Sequence, residues 1–310
     1  MIYTVSFNPS IDYIMFVDDL VQDKVNRTVR ESYYPGGKGI NVSIVSERLG
    51  IDSVALGYIA GFTGHTLLDM LESYKVQNDM IRLDNGNTRI NVKVKSMKET
   101  DINGQGPNIS KDAVEALYKK IDQIGDGDSI VLAGAIPSTM NDEIYETIMN
   151  RLHDKDVRII VDAEKDLLLN VLKLNPWLIK PNNHELADMF GEEINSLDDI
   201  IRLAKKAQTL GARNVLVSMA GDGALLLTQT GDTYYSESPK GQVVNSVGAG
   251  DSMVAGFLTT YIKTSDYVES FKKGIAAGSA TAFTEWLASP EDIEKLYNKL
   301  EIQKLHKKGG

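Results

Sequence analysis

Ser53-Val54-Ala55-Leu56-Gly57-Tyr58-Ile59-Ala60 is an apolar run with little alternation, and HTLLDMLESYK at 65–75 then repeats its apolar residues at helical spacing. A strand that is apolar on both sides needs cover on both sides, and a helix that follows it supplies one layer. The same unit recurs along the chain. IYTVSF at 2–7, SIVLAG at 129–134, VRIIVDA at 157–163, WLIKP at 177–181 and NVLVS at 214–218 read as further buried strands. KGINVSIVSERLG at 38–50, closed by Gly50, reads as another helix. The order predicts an α/β fold, a doubly wound and mostly parallel sheet with helices on both faces.

Two stretches, at about 11–35 and 88–102, depart from this order and read as alternating strands without a helix. The period of two from Arg89 to Lys95 places Arg89, Asn91, Lys93 and Lys95 on one face and Ile90, Val92 and Val94 on the other. A small β-lid, discontinuous in sequence, then projects from a single domain spanning 1–310. Its apolar face requires cover, either from the main sheet or from a second subunit. The tail at 304–310 reads as frayed.

Composition bounds the chemistry. The 310 residues are 42% hydrophobic and 25% charged, as in an ordinary globular protein, so a sizeable core can form. The absence of cysteine excludes a disulfide scaffold, a thiolate nucleophile, an iron–sulfur cluster and thiolate zinc ligation. With 43 acidic against 33 basic residues the net charge is −10, which speaks against nucleic acid or an anionic membrane as a partner. A small anion needs only a few cations and N–H groups, so it stays possible. With no basic leader and no apolar span of roughly 20 residues, the chain reads as cytoplasmic.

Four short segments carry candidate chemistry. Asn245-Ser246-Val247-Gly248-Ala249-Gly250-Asp251-Ser252 precedes the helical MVAGFLTTYI, and small residues there leave the first N–H groups of the helix free to converge on an anion. Asp251 is then either an N-cap or a carboxylate placed for chemistry. Tyr34-Pro35-Gly36-Gly37-Lys38-Gly39-Ile40-Asn41 lets backbone approach a ligand closely, with Lys38 in the loop and Asn41 able to reach back. It suits a polyol, or a plain hinge, and lacks the spacing of a Walker A loop. Val217 to Ala224, with Ser218, Gly221 and Gly223, is a nucleotide-binding loop or a hairpin turn. In Lys180-Pro181-Asn182-Asn183-His184-Glu185, Asn182 and Glu185 have capping-box spacing; the other reading is a water-mediated Mg2+ site.

Taken together, Asn8-Pro9-Ser10-Ile11-Asp12, the GGKGxN loop at 36–41, the Asn182-x-x-Glu185 pair and Val247-Gly248-Ala249-Gly250-Asp251 resemble the PfkB (ribokinase-like) family of carbohydrate kinases. The likeness runs over about residues 1–300, with the motifs in the family's order. Val25-Asn26-Arg27, Thr88-Arg89-Ile90-Asn91 and Lys180-Pro181-Asn182-Asn183 look most like the branch acting on ketohexose phosphates. The resemblance implies transfer of phosphate from ATP, with Mg2+, to fructose 1-phosphate, giving fructose 1,6-bisphosphate. The alternatives are tagatose 6-phosphate as the acceptor, or a non-catalytic sugar-phosphate-binding regulatory protein.

By the same resemblance Asp251 is the catalytic base, and Gly248, Ala249 and Gly250 form the anion hole. Asp12, Gly37, Lys38 and Asn41 bind sugar hydroxyls. Arg89 holds the phosphate already on the substrate, with Lys24 and Arg27 adding charge. Lys180, Asn182, Ser218, Gly221 and Gly223 fall to ATP, and Glu185 to Mg2+ through water. Gly134-Ala135-Ile136-Pro137 stands where many relatives have Gly-Ser-Leu-Pro, so a hydroxyl contact from position 135 is absent. A homodimer through the lid is expected.

Overall fold

Strand Ile2–Ser6 lies at the place where the chain reverses its direction of travel across the sheet. Strand Ser53–Ala60 pairs parallel on one side of it, and strand Ser129–Ala133 pairs parallel on the other. From there the order continues through Arg158–Asp162, Leu178–Ile179 and Asn214–Ser218, all parallel. Ala224–Leu227, Thr233–Ser236 and Gln303–Leu305 complete that side antiparallel. Gln77–Asn78 and Ile81–Leu83 pair with Ser53–Ala60 and complete an 11-stranded sheet. In such a sheet a crevice opens beyond the C-terminal strand ends at the point of reversal. The structure, a computed structural model, describes residues 1–97, 99–163 and 165–305.

The pleat distributes each buried strand between two cores. Ile130 and Leu132 join the core under helices Lys111–Ile121, Ile144–Arg151, Lys165–Leu172, Asn183–Phe190 and Leu197–Thr209. Val131 and Ala133 join the opposite core, under helices Lys38–Arg48, Gly61–Ser73, Ala249–Thr264, Tyr267–Ala282 and Pro290–Tyr297. This two-sided burial is the physical reason for the unalternating apolar runs. Among the described residues, no helix is long and apolar enough to cross a membrane.

A second, four-stranded sheet has the order Arg30–Gly36, Ser10–Phe16, Arg89–Lys95, Thr100–Asn103. Its polar face is the one turned toward the main body. Asn91 and Lys93 are buried, whereas Ile90 is 40% exposed, Tyr33 64% and Ile102 61%. Ile11 and Val94 on the apolar face are buried, so the main domain covers that face only in part and leaves Ile90, Tyr33 and Ile102 open.

Two local expectations need correction. The helix expected at 65–75 begins at Gly61, because Thr63 Oγ1 donates to Thr88 O (2.7 Å) and Thr88 Oγ1 accepts from Ala60 N (2.9 Å), anchoring an extra turn. Lys304 and Leu305 are not frayed but pair with Thr233 and Tyr234 as an edge strand; the rest of the tail, 306–310, lies outside the described residues.

Candidate active site

Asp162 ends strand Arg158–Asp162 in the crevice, 2% exposed, with Lys38 Nζ at 3.4 Å and Lys180 Nζ at 3.3 Å from its Oδ1. Burial pushes this carboxyl up, but Lys180 and Lys38 outweigh it and hold it below the ordinary carboxylate range. Burial pulls the Lys38 ammonium down, and Asp162, Asp251 and Glu185 reverse that, so Lys38 stays charged. Two cations thus converge on the mouth of the crevice.

Lys38 opens its helix after Gly37, whose φ of 120° is open to glycine. The turn that follows presses on strand Ile2–Ser6. A Cβ at Gly39 would lie 2.7 Å from Ser6 Oγ and 2.8 Å from Val5 O, so only glycine permits the approach. One turn in, Asn41 Nδ2 donates to Asp251 Oδ2 at 2.8 Å, while the buried Asn41 Oδ1 has no protein partner.

Asp251 is not the N-cap. Gly248, in the left-handed region at φ 80°, caps helix Ala249–Thr264 without a side chain. Ala249 N–H bonds to Ser246 O and Ser252 N–H to Gly248 O, so the Gly250 and Asp251 N–H groups between them are left for a ligand. Lys180 Nζ adds a cation there, 3.2 Å from where a Cβ on Gly250 would be. The Asp251 carboxyl is buried, and burial followed by the charge of Asp162 pushes it up to about 6 against Lys38, Asn41 and Lys180. It is an ionised base at neutral pH with a proton affinity above that of a surface carboxylate.

A cleft of about 840 Å3 runs from this helix start along the sheet edge. Ala249, Gly250 and Asn182 close one end; Met253, Ile275, Ala282, Phe283 and Val243 give an apolar wall. The segment with Ser218, Gly221 and Gly223 is the turn of a hairpin in which Ser218 pairs with Ala224, and that turn lines the cleft. A Cβ at Gly223 would lie 2.0 Å from Ser236 O.

Asn182 and Glu185 form the capping box. Asn182 Oδ1 accepts Glu185 N–H (2.8 Å) and Glu185 Oε2 accepts Asn182 N–H (2.7 Å). Glu185 Oε1 lies outside that pair, and its charge reaches Lys38. Among the described residues no three His, Cys, Asp or Glu side chains gather into a metal cage. The half-buried Glu185 carboxylate, with one oxygen outside the capping box, is a hard ligand that would suit an ion held through water, as Mg2+ is.

The polar face of the small sheet carries its own cluster. Asp12 Oδ1 accepts from Ser10 Oγ (2.8 Å) and Asn91 Nδ2 (2.9 Å), and the buried Asn91 Oδ1 is unpartnered within the protein. Arg89 Nε donates to Asn8 O (2.9 Å), which sets the plane of the guanidinium and leaves its outer edge to pair elsewhere. Lys24 and Arg27 are exposed on the segment between the first two lid strands. Asp162 and Asn91 were absent from the sequence-derived set. The signal for Asp162 was a lone carboxylate at the end of an apolar run; Asn91 stood on the polar face already read.

A model described as pfkB family carbohydrate kinase matches residues 4–293. A 1-phosphofructokinase of Bacillus subtilis (strain 168) is 43% identical over 305 residues, 98% of this chain and 100% of that protein. A D-tagatose-1-phosphate kinase of Bacillus licheniformis is 35% identical over 306 residues, again 98% of this chain and 100% of that one. Phosphofructokinase-2 of Escherichia coli, solved in complex with fructose-6-phosphate, aligns with a TM-score of 0.89 at 27% identity, covering 96% of this chain and 98% of that chain. The same protein has also been solved as a tetrameric inhibited form.

Proposed function

Since the chain belongs to the pfkB family of carbohydrate kinases, we propose that it transfers the γ-phosphoryl group of ATP to fructose 1-phosphate, giving fructose 1,6-bisphosphate and ADP. The observation that carries this reading is the position of Asp251, buried in the first turn of a helix whose neighbouring Ala249 and Gly250 line a nucleotide-sized cleft.

In this reading the nucleotide lies along the cleft, against Ser218, Gly221 and Gly223, with its phosphates at Asn182, Lys180 and the Gly250 and Asp251 N–H groups that the Gly248-Ala249-Gly250 turn leaves free. Glu185 would hold Mg2+ through water, and the ion would supply charge neutralisation at the phosphates. Asp12, Asn91, Gly37, Lys38 and Asn41 orient the sugar hydroxyls, and Arg89 pairs with the C1 phosphate. Asp251 takes the proton of the C6 hydroxyl as that oxygen bonds to the γ-phosphorus and the bond to the β-phosphate oxygen breaks. The helix N–H groups and the Lys38–Asp162–Lys180 cluster are already ordered where negative charge develops, so no reorganisation is required during the step.

A second reading is supported by the tagatose relative: tagatose 1-phosphate differs from fructose 1-phosphate only at C4 and offers its phosphate to Arg89 from the same end. Tagatose 6-phosphate must bind in the reverse sense. The test is kcat/KM with Mg-ATP for fructose 1-phosphate, the two tagatose phosphates, fructose 6-phosphate and fructose. Fructose 1-phosphate is expected to lead by at least about tenfold. A lead for a tagatose phosphate would change the substrate, and no turnover of any acceptor would favour a binding protein.

The exposed face around Ile90, Tyr33 and Ile102 supports a homodimer formed lid to lid. Light scattering at micromolar protein is expected to give twice the 34.1 kDa chain mass; a monomer would overturn the pairing. A cytoplasmic setting, with ATP and sugar phosphates at hand, accords with this reading.

A further inference from the structure

We infer that Arg30 and Glu285 are positioning residues that couple the seating of the small sheet to the shape of the anion-binding turn at 246–250, an inference resting on the function proposed above. Arg30 begins the lid strand Arg30–Gly36, and Glu285 lies in the segment 283–289 that joins helices Tyr267–Ala282 and Pro290–Tyr297. The Arg30 guanidinium donates from both terminal nitrogens to the two Glu285 carboxylate oxygens, each at 2.8 Å, and lies 3.9 Å above the Phe16 ring. Two repeats of the pleat further along the strand, Tyr34 stacks on Trp286 with ring centroids 4.7 Å apart and planes 10° from parallel.

These side chains are 47% and 53% exposed, so an ion pair of this kind contributes little to stability. Its effect is geometric, because a two-point bond over a ring admits one orientation. Among the described residues it is the ion pair that joins the small sheet to the main body.

The far side of the same segment braces the turn. Glu285 O accepts Asn245 Nδ2 at 2.9 Å, and Asn245 Oδ1 accepts Val247 N–H at 3.1 Å. The Leu287 side chain lies 2.8 Å from where a Cβ on Gly248 would sit. Thr281 Oγ1 accepts Ala288 N–H and donates to Ser252 Oγ, next to Asp251. Arg48, ending the helix that carries Lys38 and Asn41, donates to Leu287 O and Ala288 O. Displacing segment 283–289 therefore disturbs the anion hole. In this seating the lid grips that segment through the ion pair and the Tyr34–Trp286 stack, so loosening the grip loosens the support of the anion hole.

The test uses Glu285→Gln, which keeps side-chain size and the backbone carbonyl bond to Asn245. In a Trp177→Phe background Trp286 is the sole tryptophan, and its emission reports the Tyr34 stack without requiring turnover. Glu285→Gln is expected to red-shift that emission, speed amide hydrogen exchange across 245–252, and lower kcat by about tenfold with KM for ATP within about twofold. The melting temperature is expected to stay near that of the parent. Exchanging the charges, Arg30→Glu with Glu285→Arg, is expected to restore emission, exchange and kcat.

Unchanged emission overturns the proposal. A shifted emission with unchanged exchange at 245–252 or unchanged kcat also overturns it, and so does a charge exchange that recovers nothing. If the parent turns over no ketohexose phosphate, the functional reading fails instead, and emission with hydrogen exchange still decides the coupling.

Discussion

Asp251→Asn is expected to lower kcat by about 10²–10⁴-fold while fructose 1-phosphate still binds within a few-fold of its parent affinity. The substitution keeps the shape of the side chain, so packing in the helix start is retained, but an amide cannot take the proton from the attacking hydroxyl. The pH profile identifies the group. Burial and the nearby Asp162 charge place the Asp251 pKa at about 6, so the parent's kcat/KM should be full above that value and fall as pH drops through it. The sign follows because only the ionised carboxylate accepts a proton. Asp251 and Asp162 interact, so the apparent value belongs to the pair. The residual activity of Asp251→Asn should lack this acid limb; near-parental turnover with the limb intact would remove Asp251 as the base.

Arg89→Leu is expected to cut kcat/KM for fructose 1-phosphate by roughly 10²–10³-fold and to leave the low rate with unphosphorylated fructose nearly unchanged. The guanidinium is half-buried, its Nε is held by Asn8 O, and burial already lowers its pKa against the pull of Asp12, so it is poised for an anion at its outer edge. Losing it removes both bonds of a bidentate contact. Arg89→Lys should recover only part of the loss, because an ammonium restores the charge without the planar fork. The informative quantity is the ratio of the two acceptors. If discrimination survives in Arg89→Leu, the substrate phosphate is held elsewhere.

Much of this arrangement was legible before any coordinates. Runs such as SIVLAG at 129–134 are buried on both faces and have no polar side to hide, so they reveal parallel strands and the order of the α/β sheet. Glycine-rich turns were legible for a related reason. The positive φ at Gly37 and Gly248 and the close approach at Gly39 are backbone requirements that few other residues meet. The loops that let backbone meet a ligand are therefore written in composition, and Asp251 stood out as a carboxylate where a helix dipole gathers anions.

The tertiary structure alone decided the rest. Period-two alternation defines two faces of Arg89–Lys95 but not which one turns inward, and here the polar face does, with Asn91 and Lys93 buried while Ile90 stays exposed. Lys24 and Arg27 are exposed on the segment between two lid strands, and their place in sequence does not say which phosphate, if any, they meet. Asp162 was passed over because nothing local distinguishes it from any charge ending a strand. Its meaning comes from Lys38 and Lys180, brought from two other elements to the same carboxylate oxygen. Local chemistry, acting over one turn or one strand, determined the elements and their order; which distant charges converge is set by chain crossings, and no short-range pattern encodes it.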